Sequence, residues 1–337
     1  MTYPLSRPGQ LANDARALFY KKWLGEVLKA YEQATVFKSL IRNKSITSGK
    51  SGSFPIIGDA PDPKIFVPGV DELTSQVIGN EEVIINIDGL IVGNVMVYEL
   101  DEWMSEYDVR SPYNQKLAYQ MAVTTDRAIA AEIAKNALNG SNRVNLATQK
   151  ATVALASAEE LVDAIFAAAE KLDNNKVMGM ERYLAVSPTV FYKLFKYLSA
   201  IDKDYGGQGS IATGTILELA GFKIVKTNTL SPLINIPDAG SVTFGVDLSG
   251  DGGQKHQITV AESATGSATG SAGILGLAFV EDAAAMLTLK DLTPEINYIP
   301  EKLSNLIVVK MAAGFGALRK EASVIIADPA ATISAVV

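Results

Sequence analysis

The chain has 337 residues, which is enough for two or three structural units with a sizeable hydrophobic core. It contains no cysteine and one histidine, so disulfide frameworks, thiolate catalysis, zinc–cysteine sites and multi-histidine metal centres are excluded. The net charge of −7 argues against general affinity for nucleic acid, while a mean hydropathy of +0.16 is high for a lone soluble monomer and favours an oligomer.

No membrane segment is predicted. The opening stretch "MTYPLSRPGQLANDARALF" lacks the apolar core of a signal peptide, and the apolar stretch "NLIVVKMAAGFGAL" is short and carries Lys310. These features predict a protein that is made and kept in a cytoplasm-like compartment, or is released from one by lysis.

Charge is unevenly distributed over the first quarter of the chain. Residues 1–50 hold nine Lys and Arg against three Asp and Glu, whereas residues 51–88 hold one Lys against seven acidic residues. A basic arm beside an acidic loop suggests two segments that meet, either within one chain or between chains. The alternative is a chance fluctuation in which both segments are solvated.

Residues 14–42 are predicted to form one or two amphipathic helices, because Trp23, Val27 and Tyr31 are among the apolar residues that recur at helical spacing. Basic residues lie among these apolar positions. The arm is therefore amphipathic, although an ordinary surface helix has the same pattern.

Residues 45–88 differ in character, since they are rich in Gly, Ser and Pro. The four prolines forbid helix and central strand: Pro55, Pro61, Pro63 and Pro68. Apolar residues at 54–57 and 65–67 predict two extended edge strands joined by a turn around "GDAPDPK", followed by a further strand in "EEVIINIDG". A hairpin of this kind cannot bury a core alone, so it needs another surface.

The clearest helix is predicted at 111–138, with Ser111 as its cap, Pro112 in its first turn and Gly140 as its stop. Its length is about 40 Å at 1.5 Å per residue. Such a helix can serve as a structural spine.

Beyond the spine helix, residues 157–172 and the segment capped by Ser187 predict two more helices, separated by the short strand "RYLAV". Together with "GTILELAGFKIVKTNTL", a short helix and a strand, they predict a compact α/β unit. Residues 228–273 are predicted to be a long excursion that includes the flexible repeat "SATGSATGSAG". Three C-terminal strands follow, in "ILGLAFVEDAAAMLTLKDL", "NLIVVKMAAGFGAL" and "ASVIIA", so the structural units interleave along the chain.

The motif "SGKS" resembles the end of a phosphate-binding loop. That loop requires a glycine where this chain has Lys44, and it must open a helix, whereas "GSFPIIG" follows here. Nucleotide binding is therefore not expected.

No catalytic constellation is predicted. His256 lies in the polar, Gly-rich segment "GDGGQKHQITV" and is interpreted as a solvated loop histidine. Asp108 and Arg110 are interpreted as a local ion pair at the entry to the spine helix. A cytosolic α/β enzyme is the competing class, but it needs a convergent polar pocket for which no residues are evident.

The order of these elements resembles that of tailed-phage major capsid proteins. The segments "SITSGKSGSFPIIG", "EEVIINIDGLIVGNVMVYELDEWMSEYDVRSPY", "GTILELAGFKIVKT", "GQKHQ" and "LTLKDL…AAGFGALRKEA" are similar to those of short-tailed phages of the autographivirus type. The resemblance extends from about residue 20 to residue 326, and the extreme N-terminus and the SATG repeat depart from it.

The resemblance implies an α+β capsid fold and a set of partners. It implies an N-terminal arm at 1–50, an extended loop at 51–88, a peripheral domain at 89–150 and 286–318, and an axial domain at 151–285 and 319–337. It also implies hexamers and pentamers in an icosahedral virion shell, assembled in the bacterial host's cytoplasm with a scaffolding protein and a portal protein around double-stranded DNA, without cofactor, metal or membrane. An encapsulin-like compartment shell is the alternative.

Contacts between subunits are expected at charged and apolar residues of the arm, the loop and the helix entry. The arm contributes basic residues, the loop contributes acidic and apolar residues, and the helix entry contributes its ion pair. The candidates are Lys21, Lys22, Lys29, Lys50, Phe54, Pro55, Asp59, Asp62, Asp71, Glu72, Asp108 and Arg110.

Overall fold

A computed structural model gives the architecture of the protein. The residues it describes are 29–31, 34–58, 78–99, 110–146, 158–177, 180–205, 218–233, 241–248, 255–262, 273–329 and 331–336.

Within these ranges the chain forms three long α-helices and fifteen strands. The helices are α1 (Arg110–Asn139), α2 (Ala158–Asn174) and α3 (Pro188–Tyr205). The strands are β1 (Arg42–Ser45), β2 (Ser51–Ile57), β3 (Asn80–Asn86), β4 (Leu90–Tyr98), β5 (Arg143–Asn145), β6 (Arg182–Val186), β7 (Glu218–Leu219), β8 (Phe222–Lys226), β9 (Ser241–Asp247), β10 (Lys255–Glu262), β11 (Ile274–Val280), β12 (Ala284–Ile299), β13 (Ser304–Ala317), β14 (Ser323–Ala327) and β15 (Ala331–Val336). Single 3₁₀ turns lie at Lys38–Leu40, Ser231–Leu233, Glu281–Ala283, Pro300–Lys302 and Lys320–Ala322.

Helix α1 confirms the predicted spine but corrects both of its ends. The helix already includes Arg110, so Ser111 lies inside it rather than capping it. At the other end the left-handed residue is Ser141, with φ of 55°, and the N–H of Asn142 donates to the carbonyl oxygen of Ala137 at 2.8 Å. This is a Schellman ending. Gly140 is needed for a different reason, because a Cβ there would collide with the carbonyl oxygen of Lys320.

A four-stranded sheet packs on α1, with the strand order β1-β12-β13-β4. Strand β1 is parallel to β12, and the other pairs are antiparallel. The helix approaches the sheet closely at Gly93, where a Cβ would lie 2.9 Å from the Leu117 side chain. Val97, Ile307 and Met311 are buried in the core between the sheet and the helix.

A six-stranded sheet with the order β5-β14-β11-β6-β8-β7 forms a second core with α2 and α3. Helix α2 buries Leu161, Ile165 and Leu172 at helical spacing. The predicted cap of α3 is confirmed, since the N–H of Val190 donates to the Ser187 hydroxyl at 3.3 Å. The predicted α/β unit is present, but the short helix predicted before β8 is wrong for Glu218–Leu219, which form strand β7.

A third sheet, β15-β10-β9, packs on α1. Its strands β9 and β10 lie inside the predicted excursion at 228–273, so that prediction is wrong for 241–247 and 255–262. Alternate residues of β10 are fully buried, including Ile258 and Val260. The SATG repeat lies outside the described residues.

Strand β2 has a partner that was not predicted. It pairs antiparallel with β3, with Phe54 opposite Val83 and Ile57 opposite Asn80. The register continues to the ends of both strands, where the N–H of Gly58 donates to the carbonyl oxygen of Gly79 at 2.8 Å. The predicted strand at 65–67 lies outside the described residues.

The described helices include none that is long and apolar enough to cross a membrane.

Candidate assembly surfaces and a buried ionic cluster

The β2–β3 hairpin has one face that is covered by its own chain. Phe54 and Ile85 are buried against Leu287 and Leu318. Gly52 lies so close to Leu287 that a Cβ would be 2.6 Å from its side chain. The inward face therefore fixes the root of the hairpin on β12.

The outward face of the hairpin carries two exposed isoleucines among polar residues. Ile57 is 71% exposed and Ile84 is 62% exposed, and Pro55 lies on the same face of the ribbon because it pairs with Glu82. A two-stranded ribbon cannot bury both of its faces against itself. Large apolar side chains held in extended strands at this exposure are typical of a surface that another protein covers.

The turn before β2 contains the "SGKS" motif, and the structure confirms that it opens a strand rather than a helix. Lys50 is exposed, and its carbonyl oxygen accepts the N–H of Ile87 at 2.8 Å. Gly49 has a φ of 110°, which few other residues adopt. The motif is thus a tight turn that crosses the base of the hairpin.

A buried ionic cluster lies where the hairpin leaves the sheet. His256, at 0% exposure, has Nε2 at 2.8 Å from Asp88 Oδ2 and Nδ1 at 2.9 Å from Glu132 Oε1. Lys135 Nζ lies 3.0 Å from the same Glu132 oxygen and also donates to the carbonyl oxygen of Lys255. The interpretation of His256 as a solvated loop histidine is wrong, because β10 carries its side chain into the core.

Burial lowers the pKa of His256, but hydrogen bonds to Asp88 and Glu132 and the two negative charges outweigh it. The pKa rises from 6.5 to about 9. The ring also meets Phe315 edge to face at 5.5 Å. Among the described residues no group of His, Asp and Glu is arranged to hold a metal ion.

The residues that follow the N-terminal arm are anchored on α1 by a second buried carboxylate. Asp126 accepts the N–H of Val36 at 2.9 Å and that of Phe37 at 3.2 Å. The hydroxyl of Tyr31 lies 3.3 Å from Thr125 Oγ1 on the same helix. Burial raises the pKa of Asp126 from 3.8 to about 6, against the opposing effect of the two N–H donors.

The raised pKa of Asp126 determines how the free energy of unfolding changes with pH. A carboxyl group with a raised pKa binds its proton more tightly in the folded protein, so the free energy of unfolding falls as the pH rises from about 4 to about 6. We expect Asp126→Asn to remove this pH dependence. Between pH 4 and pH 6 the free energy of unfolding should fall by up to about 3 kcal/mol in wild type and should stay constant in the variant, as far as this group is concerned. Denaturant unfolding of the subunit at pH 4, 5, 6 and 7 measures the difference. Parallel curves for the two proteins would contradict the assignment.

The structure describes some of the predicted contact residues. Lys29 and Lys50 are exposed, Pro55 is on the outward face of the hairpin, and Phe54 is in its own chain's core. Arg110 begins α1. The remaining candidates lie outside the described residues: Lys21, Lys22, Asp59, Asp62, Asp71, Glu72 and Asp108.

Sequence reasoning did not identify Asp88, Glu132, His256 and Asp126 as a structural set. Asp88 follows a strand and Glu132 interrupts an alanine-rich helix, which are weak signals individually. The alternation of Ile258 and Val260 with polar residues after His256 is a strand pattern that places His256 on the buried face. That signal was available and would have indicated a buried histidine.

Sequence and structure comparisons match this chain to known proteins over nearly its whole length. The family model described as "Gp10A-like: Major capsid protein" matches residues 53–327. The major capsid protein of Enterobacteria phage T3 is 31% identical over 332 residues, covering 94% of this chain and 92% of that protein. The major capsid protein of Escherichia phage T7 is 28% identical over 328 residues, covering 93% and 92%. A chain in the capsid structure of the cyanophage P-SCSP1u superposes with a TM-score of 0.66 at 30% identity, covering 87% of this chain and 88% of that one.

Proposed function

The chain belongs to the Gp10A-like family of phage major capsid proteins, and from this membership we propose that its copies form the hexamers and pentamers of an icosahedral head around double-stranded DNA. The α+β tailed-phage capsid fold expected from the sequence is confirmed. The protein is a structural component of the virion, and its copies assemble into the capsid lattice. The compartment-shell alternative is less well supported, because the sequence matches are to phage capsid proteins.

The outward face of the β2–β3 hairpin carries the proposal. Its inward face is already bound to β12, so its exposed isoleucines are available to a neighbouring copy. Full burial of one such side chain contributes about 1.5–3 kcal/mol. Two isoleucines on each of many identical hairpins are then a substantial part of the energy that holds a shell together.

Charge supports the same arrangement. The loop at 51–88 is acidic and the arm at 1–50 is basic, and the described arm and turn residues Lys29 and Lys50 are exposed. Opposite charges on adjacent copies would steer their association at a rate that falls with salt. The charged contact residues proposed from sequence, including those of the loop that lie outside the described residues, fit this steering role, whereas Phe54 is in the core of its own chain.

We also propose a role for each part of the subunit. The arm (1–50) and extended loop (51–88) make contacts between subunits, the peripheral domain (89–150 and 286–318) is built on α1, and the axial domain (151–285 and 319–337) lies nearer the capsomer centre. Family resemblance supports further partners, namely a scaffolding protein and a portal protein during assembly in the host cytoplasm, and packaged DNA on the inner face.

The hairpin contact is tested by charging its outward face. The double variant Ile57→Asp/Ile84→Asp should fold but should give no closed shells, because two negative charges would be buried at each hairpin contact. The readouts are electron microscopy of particles from cells that also express the scaffolding protein, and circular dichroism of the subunit.

Asn80→Asp/Asn86→Asp is the matched control for this test. It adds the same charge to the same face of the ribbon but keeps both isoleucines. We expect it to assemble better than the isoleucine variant. Shells from Ile57→Asp/Ile84→Asp at wild-type yield would remove the hairpin contact from the proposed function.

A further inference from the structure

The cluster of Asp88, His256, Glu132 and Lys135 joins three parts of the molecule that are distant in sequence. Asp88 is in the turn through which the hairpin returns to the sheet, Glu132 and Lys135 are on α1, and His256 is on β10. His256 is separated by 168 residues from Asp88 and by 124 residues from Glu132. None of these contacts is part of the proposed contact between subunits.

Hydrogen-bond geometry gives the protonation state of His256. Both ring nitrogens lie within 3 Å of a carboxylate oxygen, and an ionised carboxylate can only accept a hydrogen bond. Both nitrogens must therefore donate, which only the imidazolium form can do. The charges agree, because His256 and Lys135 then balance Asp88 and Glu132. A neutral ring would leave one uncompensated negative charge in the core.

The cluster is placed where it can set the direction of the hairpin. Asp88 Oδ2 accepts from His256 and also from the N–H of Phe315 on β13, at 3.3 Å. The N–H of Asp88 donates to the carbonyl oxygen of Ala313 at 3.3 Å. The side chain and the backbone of this one residue thus hold the hairpin base to β13 and β10 together.

We propose that His256 is a positioning residue, whose protonated ring fixes the hairpin base to α1 and β10, and that loss of its proton releases the hairpin base. This proposal rests on the proposed function. The direction of the β2–β3 hairpin matters because the hairpin docks on a neighbouring copy. The titration follows from the groups that face the ring. These are Asp88 from the hairpin turn and Glu132, with Lys135 behind it, from α1, while β13 contributes the uncharged Phe315.

The pH dependence has the sign expected for a histidine with a raised pKa. The stabilisation of the hairpin base by His256 is complete below the ordinary histidine pKa of 6.5. It is lost as the pH rises through the pKa of about 9 that His256 has in the folded protein. A difference of about 2.5 units corresponds to roughly a 300-fold change in the equilibrium between the fixed and released forms.

The test is hydrogen–deuterium exchange on assembled shells between pH 6.5 and pH 10, corrected for the intrinsic effect of pH on exchange. We expect amides in 84–90 to lose up to about 300-fold in protection over this range, while amides in α2 do not. His256→Gln should show low protection at 84–90 already at pH 6.5. Lys255→Gln is the matched control, since it removes one positive charge from the adjacent residue of β10 and should keep the wild-type profile.

Charge rescue separates positioning from simple packing. His256→Gln/Glu132→Gln restores the charge balance between Asp88 and Lys135, so protection at 84–90 should recover partly and should no longer depend on pH. If His256→Gln does not fold, Glu132→Gln serves as the test instead. An imidazole ring beside only one carboxylate should lose its proton at a lower pH than in wild type, so protection at 84–90 should be lost at a lower pH. Protection in wild type that stays constant to pH 10 would overturn the proposal.

The same measurement remains informative if no shells form. Failure of the wild-type protein to assemble would count against the proposed function, and exchange at 84–90 in unassembled subunits would still follow His256. Normal shells together with a pH-independent hairpin base would overturn the inference about His256 and leave the proposed function intact.

Discussion

Replacing Gly314 with alanine is expected to displace the base of the hairpin and to abolish normal shells. A Cβ at this position of β13 would overlap the carbonyl oxygen of Asn86 and lie 3.1 Å from Ile87 Cα. Both obstacles are backbone atoms, and Ile87 is held by its hydrogen bond to Lys50 at 2.8 Å. Because the backbone cannot give way as a side-chain tip can, we expect a loss of about 3 kcal/mol or more in the free energy of unfolding.

Denaturant unfolding of the subunit measures the loss at Gly314, and electron microscopy gives the yield of shells. Gly79→Ala is the control on the same hairpin, since a Cβ there has no atom within 4 Å. It should change the free energy of unfolding by less than about 1 kcal/mol. A Gly314→Ala variant with wild-type stability and particle yield would show that the hairpin base tolerates a shift away from β13.

Replacing Phe37 with alanine is expected to have a similarly large effect, at the point where the N-terminal arm meets α1. Phe37 is 0% exposed and its ring lies 5.9 Å from that of Phe279 on β11. Truncation of a buried phenylalanine commonly costs about 3–5 kcal/mol, because packing is lost and a cavity remains. The anchor of the arm on α1 would also weaken, since the N–H of Phe37 donates to Asp126.

Phe166→Ala is the matched control for Phe37→Ala, because Phe166 is 54% exposed on α2. We expect it to cost less than about 1 kcal/mol. Denaturant unfolding compares the two variants, and hydrogen exchange at 35–41 reports whether the arm anchor has opened. Equal losses for Phe37→Ala and Phe166→Ala would contradict the core role of Phe37.

Segments with a long, consistent local pattern were predictable from sequence. The spine helix, α2, the Ser187 cap and the C-terminal strands follow from periodicity and capping, which depend on neighbouring residues only. The helix end was predicted less well. Glycine usually takes the left-handed position, but here Ser141 takes it and Gly140 is required by the nearby backbone of Lys320.

Features that depend on distant residues were not predicted. The pairing of β2 with β3 depends on how the hairpin sits on Leu287 of β12. The cluster around His256 needs the burial of β10 against α1, which local polarity in "GDGGQKHQ" obscured. Resemblance to a capsid family gave the fold class and the function, but it gave none of these contacts.

The order of strands within the sheets has a consequence for how the subunit is made. Strands β12 and β13 are central in the four-stranded sheet, and β14 and β11 lie between β5 and β6 in the six-stranded one, yet all four come from the last fifth of the chain. A nascent chain that emerges N-terminus first lacks the centre of the four-stranded sheet, and the strands that join β5 to β6 in the six-stranded one, until synthesis is almost complete. Pairings between such distant segments also form slowly. The apolar faces of the hairpin and of helix α1 are therefore incompletely covered until the last fifth of the chain has been made, which leaves the newly made subunit prone to aggregation during synthesis.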